Sequence, residues 1–429
     1  MATNDSTRRS RAPAELLVGI EAYATPTPPC ASRLRSKVED FEVEEALREG
    51  LPSGEPEKRL FPLYRVRKNS IDTLHMAREL SEALGSRVSY AGIKDKRAAA
   101  VQYVSPTSGR ASAPDRVERP RFSAELVGFL PRPFSRSMVV GNRFRITMRG
   151  CCARVEDSLI AALRAGRLRL LPNYYGVQRF GSRDPITHKI GKALIQSRFQ
   201  DAVALLLTVP RAHDEQEARR ARELMEHGDY EAGLRKMPRA MDVERMVAKR
   251  LARGESDPVK ALRAVPIQLR RLYTQAYQSF IFNKTLSVAL LKGVDISSVE
   301  RGDNWGETGD AGLTLRKVHG VRESPAEGGV PLVQIFGYAF RDYGSRFDSC
   351  LKEVVEEEGI AARDFYVKDM QEVSQEGGFR RPFLTIREEA YQVSGDTAVV
   401  SFLLARGEYA TTVLREVIKT EDPFSSGFD

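Results

Sequence analysis

Val88-Ser89-Tyr90-Ala91-Gly92-Ile93 and Ala99-Ala100-Val101-Gln102-Tyr103-Val104-Ser105 are two short β-type runs, joined by Lys94-Asp95-Lys96-Arg97-Ala98. Upstream, Asp72 to Leu84 opens on an N-cap residue, carries Leu74, Ala77, Leu80 and Leu84 at helical spacing and stops at Gly85, which predicts a helix. Further back, Phe41-Glu42-Val43-Glu44 and Leu63-Tyr64-Arg65-Val66-Arg67 alternate with the two-residue period of a half-buried strand. Downstream come a strand around Phe144 to Met148, a helical pattern from Val155 to Ala165, and the turn Pro172-Asn173-Tyr174-Tyr175-Gly176. The stretch from Arg211 to Arg271 reads as helical, with 15 basic and 11 acidic residues interleaved as on solvated helices. A Gly-rich segment near 302–329 and an apolar run from Val330 to Phe340 follow. Alternation returns at Phe383 to Ile386 and Thr397 to Leu404, and Tyr409 to Ile418 reads as a strand turning into a helix. Strands at both ends around a helical middle predict an α+β fold in which one β-rich domain is interrupted by an insertion. Residues 1–30, rich in Ser, Thr, Arg and Pro, read as a loosely ordered lead-in.

The 429 residues suffice for two or three folding units, and 41% hydrophobic with 29% charged residues is the composition of an ordinary globular chain. The formal net charge of +9 favours a polyanionic partner, nucleic acid before membrane. Nine basic residues against three acids fall between Pro106 and Arg149, which puts most of the excess in one stretch. Four cysteines without CxxC spacing offer no disulfide framework and fit a reducing cytoplasm, and five scattered histidines make no metal-ligand pattern. Apolar runs are too short to span a bilayer and the N-terminus lacks a signal-type apolar region, so the expectation is a soluble protein that stays inside.

Asp95 stands among three cations, which favour its ionised form. A surface salt-bridge loop has the same composition, so the functional reading needs a purpose for the cations: holding RNA phosphates while an anionic nucleophile meets a nucleotide's C1′ or a base carbon. Gly141-Asn142-Arg143-Phe144 sets an amide beside an aromatic ring, suited to gripping a uracil edge and stacking on its face, although a Gly-Asn turn entering a hairpin reads identically. Pro172 to Gly181 packs three aromatics, two amides and a cation between Pro and Gly, as a core turn or an RNA platform would. Ala276, Phe280 and Asn283 share a helix face and read as packing. The start of the Ala410 helix would offer N–H groups to a phosphate or a uracil carbonyl.

Together these segments resemble the TruD family of pseudouridine synthases from about residue 33 to residue 420. Gly92-Ile93-Lys94-Asp95 with Ala98 and Gln102 is similar to the family's catalytic motif, which implies that Asp95 is the nucleophile. Glu39-Asp40-Phe41 with Val43 and Glu45 resembles the N-terminal motif, implying a substrate-contacting Phe41 with the basic Arg35 just before it. Gly141-Asn142-Arg143-Phe144 resembles the GNxF segment, implying that Asn142 binds the uridine and Phe144 stacks on its base. Pro172 to Gly181 resembles the strongest family signature, where the insertion begins, and the segment from Ala410 to Glu416 resembles the C-terminal motif. Tyr409 stands where the family often carries phenylalanine; it keeps the ring and adds a hydroxyl. The resemblance implies a catalytic domain with a central mixed or antiparallel sheet over 31–171 and 386–429, interrupted by a helix-rich TRUD insertion domain over 172–385.

The implied reaction breaks the C1′–N1 bond of a uridine flipped out of its stack, turns the uracil and joins C5 to C1′. It requires no metal and no organic cofactor. The implied substrate is tRNA or another structured RNA, with the uridine at position thirteen of tRNA as the family expectation and no obligatory protein partner. Whether Asp95 attacks covalently or through a glycal stays open, as does the acceptor of the C5 proton. Two rivals stand beside this reading: an RNA-binding protein of the same fold without catalysis, and a hydrolase that cleaves an N-glycosidic bond with a carboxylate.

Overall fold

The computed structural model describes residues 9–51, 60–94, 98–109, 113–181, 184–310, 312–321 and 327–428. A nine-stranded mixed sheet forms the centre. Its strands are β1 (Phe41–Leu47), β2 (Phe61–Lys68), β3 (Val88–Tyr90), β4 (Ala99–Pro106), β5 (Arg116–Arg119), β6 (Phe122–Leu130) and β7 (Val139–Arg149). Two more are added by the C-terminal part of the chain. A second, four-stranded antiparallel sheet holds β8 (Asn304–Gly309), β9 (Thr314–His319), β10 (Val330–Ile335) and β11 (Gly378–Arg380). The returning strands β12 (Arg387–Ser394) and β13 (Thr397–Ala405) complete the central sheet in the order β12-β13-β7-β1-β4-β2-β6-β5.

One edge of β4 is shared. β1 runs parallel to its first residues, Glu42 to Glu44 opposite Ala99 to Val101, while β3 pairs antiparallel with its last, Val104 to Pro106. β2 holds the other edge over Ala100 to Val104. Gln102 and Tyr103 therefore face a gap between β1 and β3, and Lys94 lies beside it. Asp95, Lys96 and Arg97 lie outside the described residues.

Among the described residues twelve α-helices pack around the sheets. On the first part of the chain lie α1 (Pro13–Leu17), α2 (Thr73–Leu84) and α3 (Val155–Arg167). The middle of the chain carries α4 (Thr187–Ile195), α5 (Phe199–Leu207), α6 (Gln216–Glu226), α7 (Tyr230–Lys236), α8 (Asp242–Leu251), α9 (Pro258–Leu262), α10 (Ile267–Leu291) and α11 (Arg346–Glu358). The chain closes with α12 (Ala410–Ile418). α2 shows how locally the sequence decides: Asp72 Oδ1 caps the N–H groups of Leu74 and His75, and Gly85 ends the helix at φ 63°. Met76, Leu80 and Leu84 are buried against β2 and β4, each contributing about 2 kcal/mol. Leu74, expected on that face, is 56% exposed, because the buried stripe runs through Met76 instead. The strand read from Val88 ends at Tyr90, leaving Ile93 exposed. One apolar core continues from Phe41, Phe144 and Phe402 on the sheet through α3 and α12 into α4, α5 and α10. Among the described residues no helix is long and apolar enough to cross a membrane.

Two expectations are corrected. From residue 9 onward the supposed lead-in is packed: α1 forms, Val18, Ile20, Ala22 and Tyr23 are buried, and Glu15 pairs with the buried Arg415 of α12 at 2.8 Å. The N–H groups of Ala24 and Thr25 donate to Glu416, so the proline-rich strip is fixed by the charges α12 carries into the core. Cys30 and Cys152, read as unpaired, form a disulfide across 122 residues. The Cys30 N–H donates to Ile418 and that of Cys152 to Ala31, which brings their Cα atoms to 5.5 Å, a proximity that no sequence spacing carries.

Candidate active site

The residues of three motifs meet at the gap beside β4. On β1 the alternation that turns Phe41 and Val43 inward also turns Glu45 inward, and Glu45 stands directly opposite Asn142 on β7. Its carboxylate is 1% exposed, takes the Tyr103 N–H at 2.9 Å and lies 3.3 Å from the Lys94 ammonium. The gap thus closes through a side chain where a strand is missing. Burial pushes the Glu45 pKa up, and Lys94 pulls against that rise.

Lys94 is held at every polar group. Its N–H donates to Thr73 Oγ1 (2.9 Å), whose hydroxyl donates to Gln102 Oε1 (3.0 Å); its carbonyl accepts from Lys68 Nζ (3.3 Å); its ammonium donates to Asn142 Oδ1 at 2.5 Å. The residue that precedes Asp95 in the chain is therefore clamped to α2, β2, β1 and β7. Among the described residues Gln102 Nε2 is buried without a partner.

Asn142 sits within β7, which corrects the hairpin-turn alternative: Val139 to Arg149 is one continuous strand. Gly141 makes that possible, since a Cβ there would meet the Leu404 carbonyl oxygen at 2.1 Å and hold β13 off. Phe144, two residues on, meets Phe41 edge-on at 6.0 Å and Phe402 at 5.9 Å, and the Arg35 guanidinium lies 4.3 Å over the Phe41 ring. Arg35 has φ 54°, a left-handed backbone that a non-glycine residue adopts at a cost. Arg35, Phe41 and Phe144 form one cluster, and Asn142 joins the lysine clamp beside it.

Tyr409 belongs to a second ring group. It precedes α12 and meets Tyr175 edge-on at 6.3 Å; Tyr175 also meets Phe282 of α10 and carries Arg380 of β11 at 4.1 Å over its face. This group ties α10 and β11 to the start of α12, and Tyr409 lies five residues along the chain from Leu404, the β13 partner of Asn142. The start of α12, expected to offer open N–H groups, is packed under Tyr174 and Gln178, with Thr411 and Thr412 buried. Ala276, Phe280 and Asn283 are core residues, as their helix face implied.

Two arginines of the basic stretch before Arg149 turn away from Asn142. Strand alternation sends Arg143 and Arg145 to the face opposite Asn142 and Phe144, where they pair with Glu388 and Glu42. A cleft of about 860 Å³ is lined by Arg67, Arg119, Arg121, Arg143 and Arg145 and reaches Phe144. A larger cavity of about 1140 Å³ lies where the two chain ends meet, with Arg33 and Lys419 on its walls and none of Phe41, Asn142 or Phe144. Among the described residues no cluster of His, Cys, Asp and Glu could hold a metal ion.

Lys94, Glu45, Thr73 and Lys68 were not assigned roles from sequence. Glu45 was legible: a carboxylate in the inward register of an alternating strand must find a partner. Thr73 and Lys68 gave no such signal, because their contacts depend on how α2 sits on the sheet.

A family model described as tRNA pseudouridine synthase D (TruD) matches residues 17–417. A relative from Pyrobaculum neutrophilum bearing that enzyme name is 34% identical over 97% of this chain and 99% of its own. One from Archaeoglobus fulgidus with the same name is 33% identical over 94% and 98%. A crystal structure described as TruD from Methanosarcina mazei superposes with a TM-score of 0.78 at 27% identity, covering 96% of this chain and 99% of the other.

Proposed function

The chain belongs to the TruD family of tRNA pseudouridine synthases, and from that premise we propose that it isomerises the uridine at position thirteen of tRNA, with Asp95 as nucleophile. The observation that carries the proposal is the bond between Lys94 and Asn142: the residue next to Asp95 is fixed to the amide that would read the uridine, 48 residues away in sequence.

In this reading the target uridine leaves its stack at a cost of a few kcal/mol. Its base enters beside Phe144 and Phe41, where ring contact offsets part of that cost, and Asn142 holds its edge. Asp95 acts at C1′, the C1′–N1 bond breaks, and the uracil turns within the pocket until C5 faces C1′. Phenylalanine cannot titrate, so Phe144 serves by stacking alone. Tyr409 and the Tyr175–Arg380 pair would contact the RNA beside the base. No obligatory protein partner is implied. A cytoplasmic location accompanies a tRNA substrate, although the Cys30–Cys152 disulfide is uncommon in that compartment.

The test is pseudouridine-specific chemical mapping of unmodified tRNA incubated with the purified chain. Conversion of one D-arm uridine is expected. Asp95→Asn should bind the same tRNA and unfold at the same temperature, yet form no pseudouridine. Product from that variant would remove Asp95 from the nucleophile role, and free uracil in place of pseudouridine would reassign the protein as a hydrolase.

A further inference from the structure

We infer that Lys94 is a specificity-determining positioning residue: by occupying Asn142 Oδ1 it turns the amide so that Asn142 offers two N–H donors to the bound base. The inference rests on the reading of Asn142 as the uridine's partner.

An ammonium carries three donors and no acceptor. The Asn142 atom 2.5 Å from Lys94 Nζ must therefore be the amide oxygen. Lys94 cannot swing away freely, since its backbone is bonded to Thr73 and Lys68 and its ammonium to Glu45, all of them buried. Glu45 and Asn142 stand opposite each other on neighbouring strands, so one cation spans both and fixes the oxygen end of the amide toward β1. Asn142 Nδ2 makes no hydrogen bond to any described residue, and the side chain is only half-buried, so as far as the described residues go its two N–H groups are open to a ligand.

The edges of the two pyrimidines answer such a donor differently. Uracil presents a carbonyl oxygen at C4, and cytosine presents an amino group there, which would set donor against donor. A site with a fixed donor rejects the base that cannot accept, because a desolvated N–H is left unpaired. A freely rotating amide would lose this discrimination by presenting its oxygen to the cytosine amino group. Lys94 thus makes Asn142 a one-way reader of a carbonyl.

The experiment measures binding in the Asp95→Asn background, so that RNA is not converted, using two tRNA transcripts that differ only by U or C at the target position. The parent should prefer U by about tenfold or more. Adding Lys94→Met should cut that preference at least about fivefold while shifting the affinity for an unrelated RNA little, whereas Lys94→Arg, which keeps the donor, should retain it. Because Lys94→Met leaves Glu45 buried without its cation, the companion Lys94→Met/Glu45→Gln removes both charges and must show the same loss. If Asn142→Ala abolishes the preference while both Lys94→Met proteins keep it, Asn142 reads the base unaided and the role given to Lys94 is wrong. If the parent itself shows no preference, the assignment of the uridine to Asn142 falls, and this inference with it.

Discussion

Four consecutive residues of β7 lead two different lives. Asn142 and Phe144 point into the interior, where one is bonded to Lys94 and the other is ringed by Phe41 and Phe402. Arg143 and Arg145 point outward, each about half exposed and paired with an acid that is itself about half exposed. On the inner face every polar atom lost leaves a partner buried and unmatched; on the outer face water replaces whatever is removed. The contrast teaches that neighbours on one strand meet different environments, one pair packed against buried partners and the other facing solvent and an acid.

Substitutions should separate the faces by size of effect. Glu45→Ala should cost the most, about 3–5 kcal/mol, since it strands the Lys94 charge and the Tyr103 N–H, and thermal unfolding measures it directly. Phe144→Ala belongs in the same range because the ring is core as well as proposed stacking surface, so Phe144→Leu is the variant with which to measure stacking through kcat/KM. Asn142→Ala should lower kcat/KM by about 10- to 100-fold, the worth of a base-reading contact, with little loss of RNA affinity at non-target sequences.

A pH titration of stability sharpens the contrast further. Burial raises the Glu45 pKa above its ordinary value of 4.5, so the native state binds that proton more tightly than the unfolded chain. Stability contributed by the protonated form is present at low pH and falls as pH rises above 4.5 toward the folded value, with a slope of at most about 1.4 kcal/mol per pH unit. Glu45→Gln should flatten that slope, and an unchanged slope would show that Glu45 is not its source. Smallest of all, Arg143→Ala should change stability by about 0–1 kcal/mol, with the difference vanishing at high salt.

Much of the inner face could be read from the chain alone. The two-residue period of Phe41-Glu42-Val43-Glu44 placed Phe41 inward, and Asp72 with Gly85 bounded α2 to the residue, because caps and alternation are local properties. Long-range proximity was not legible. Whether Lys94 reaches Asn142, whether Cys30 meets Cys152, and whether residues 9–30 lie on α12 depend on strand order and on the buried charges of Arg415 and Glu416. The placement of Arg143 and Arg145 was available in principle from the alternation that carries Phe144 inward. Summing charge along the sequence concealed it, since a sum ignores which face each residue takes.

The most direct test sets neighbours against each other: single-turnover pseudouridine formation on a tRNA transcript by the unaltered chain, Asn142→Ala and Arg143→Ala. The account predicts conversion by the unaltered chain, a rate within about twofold of it for Arg143→Ala, and a rate at least about tenfold lower for Asn142→Ala. Equal losses in the two variants, or no pseudouridine from the unaltered chain, would contradict it.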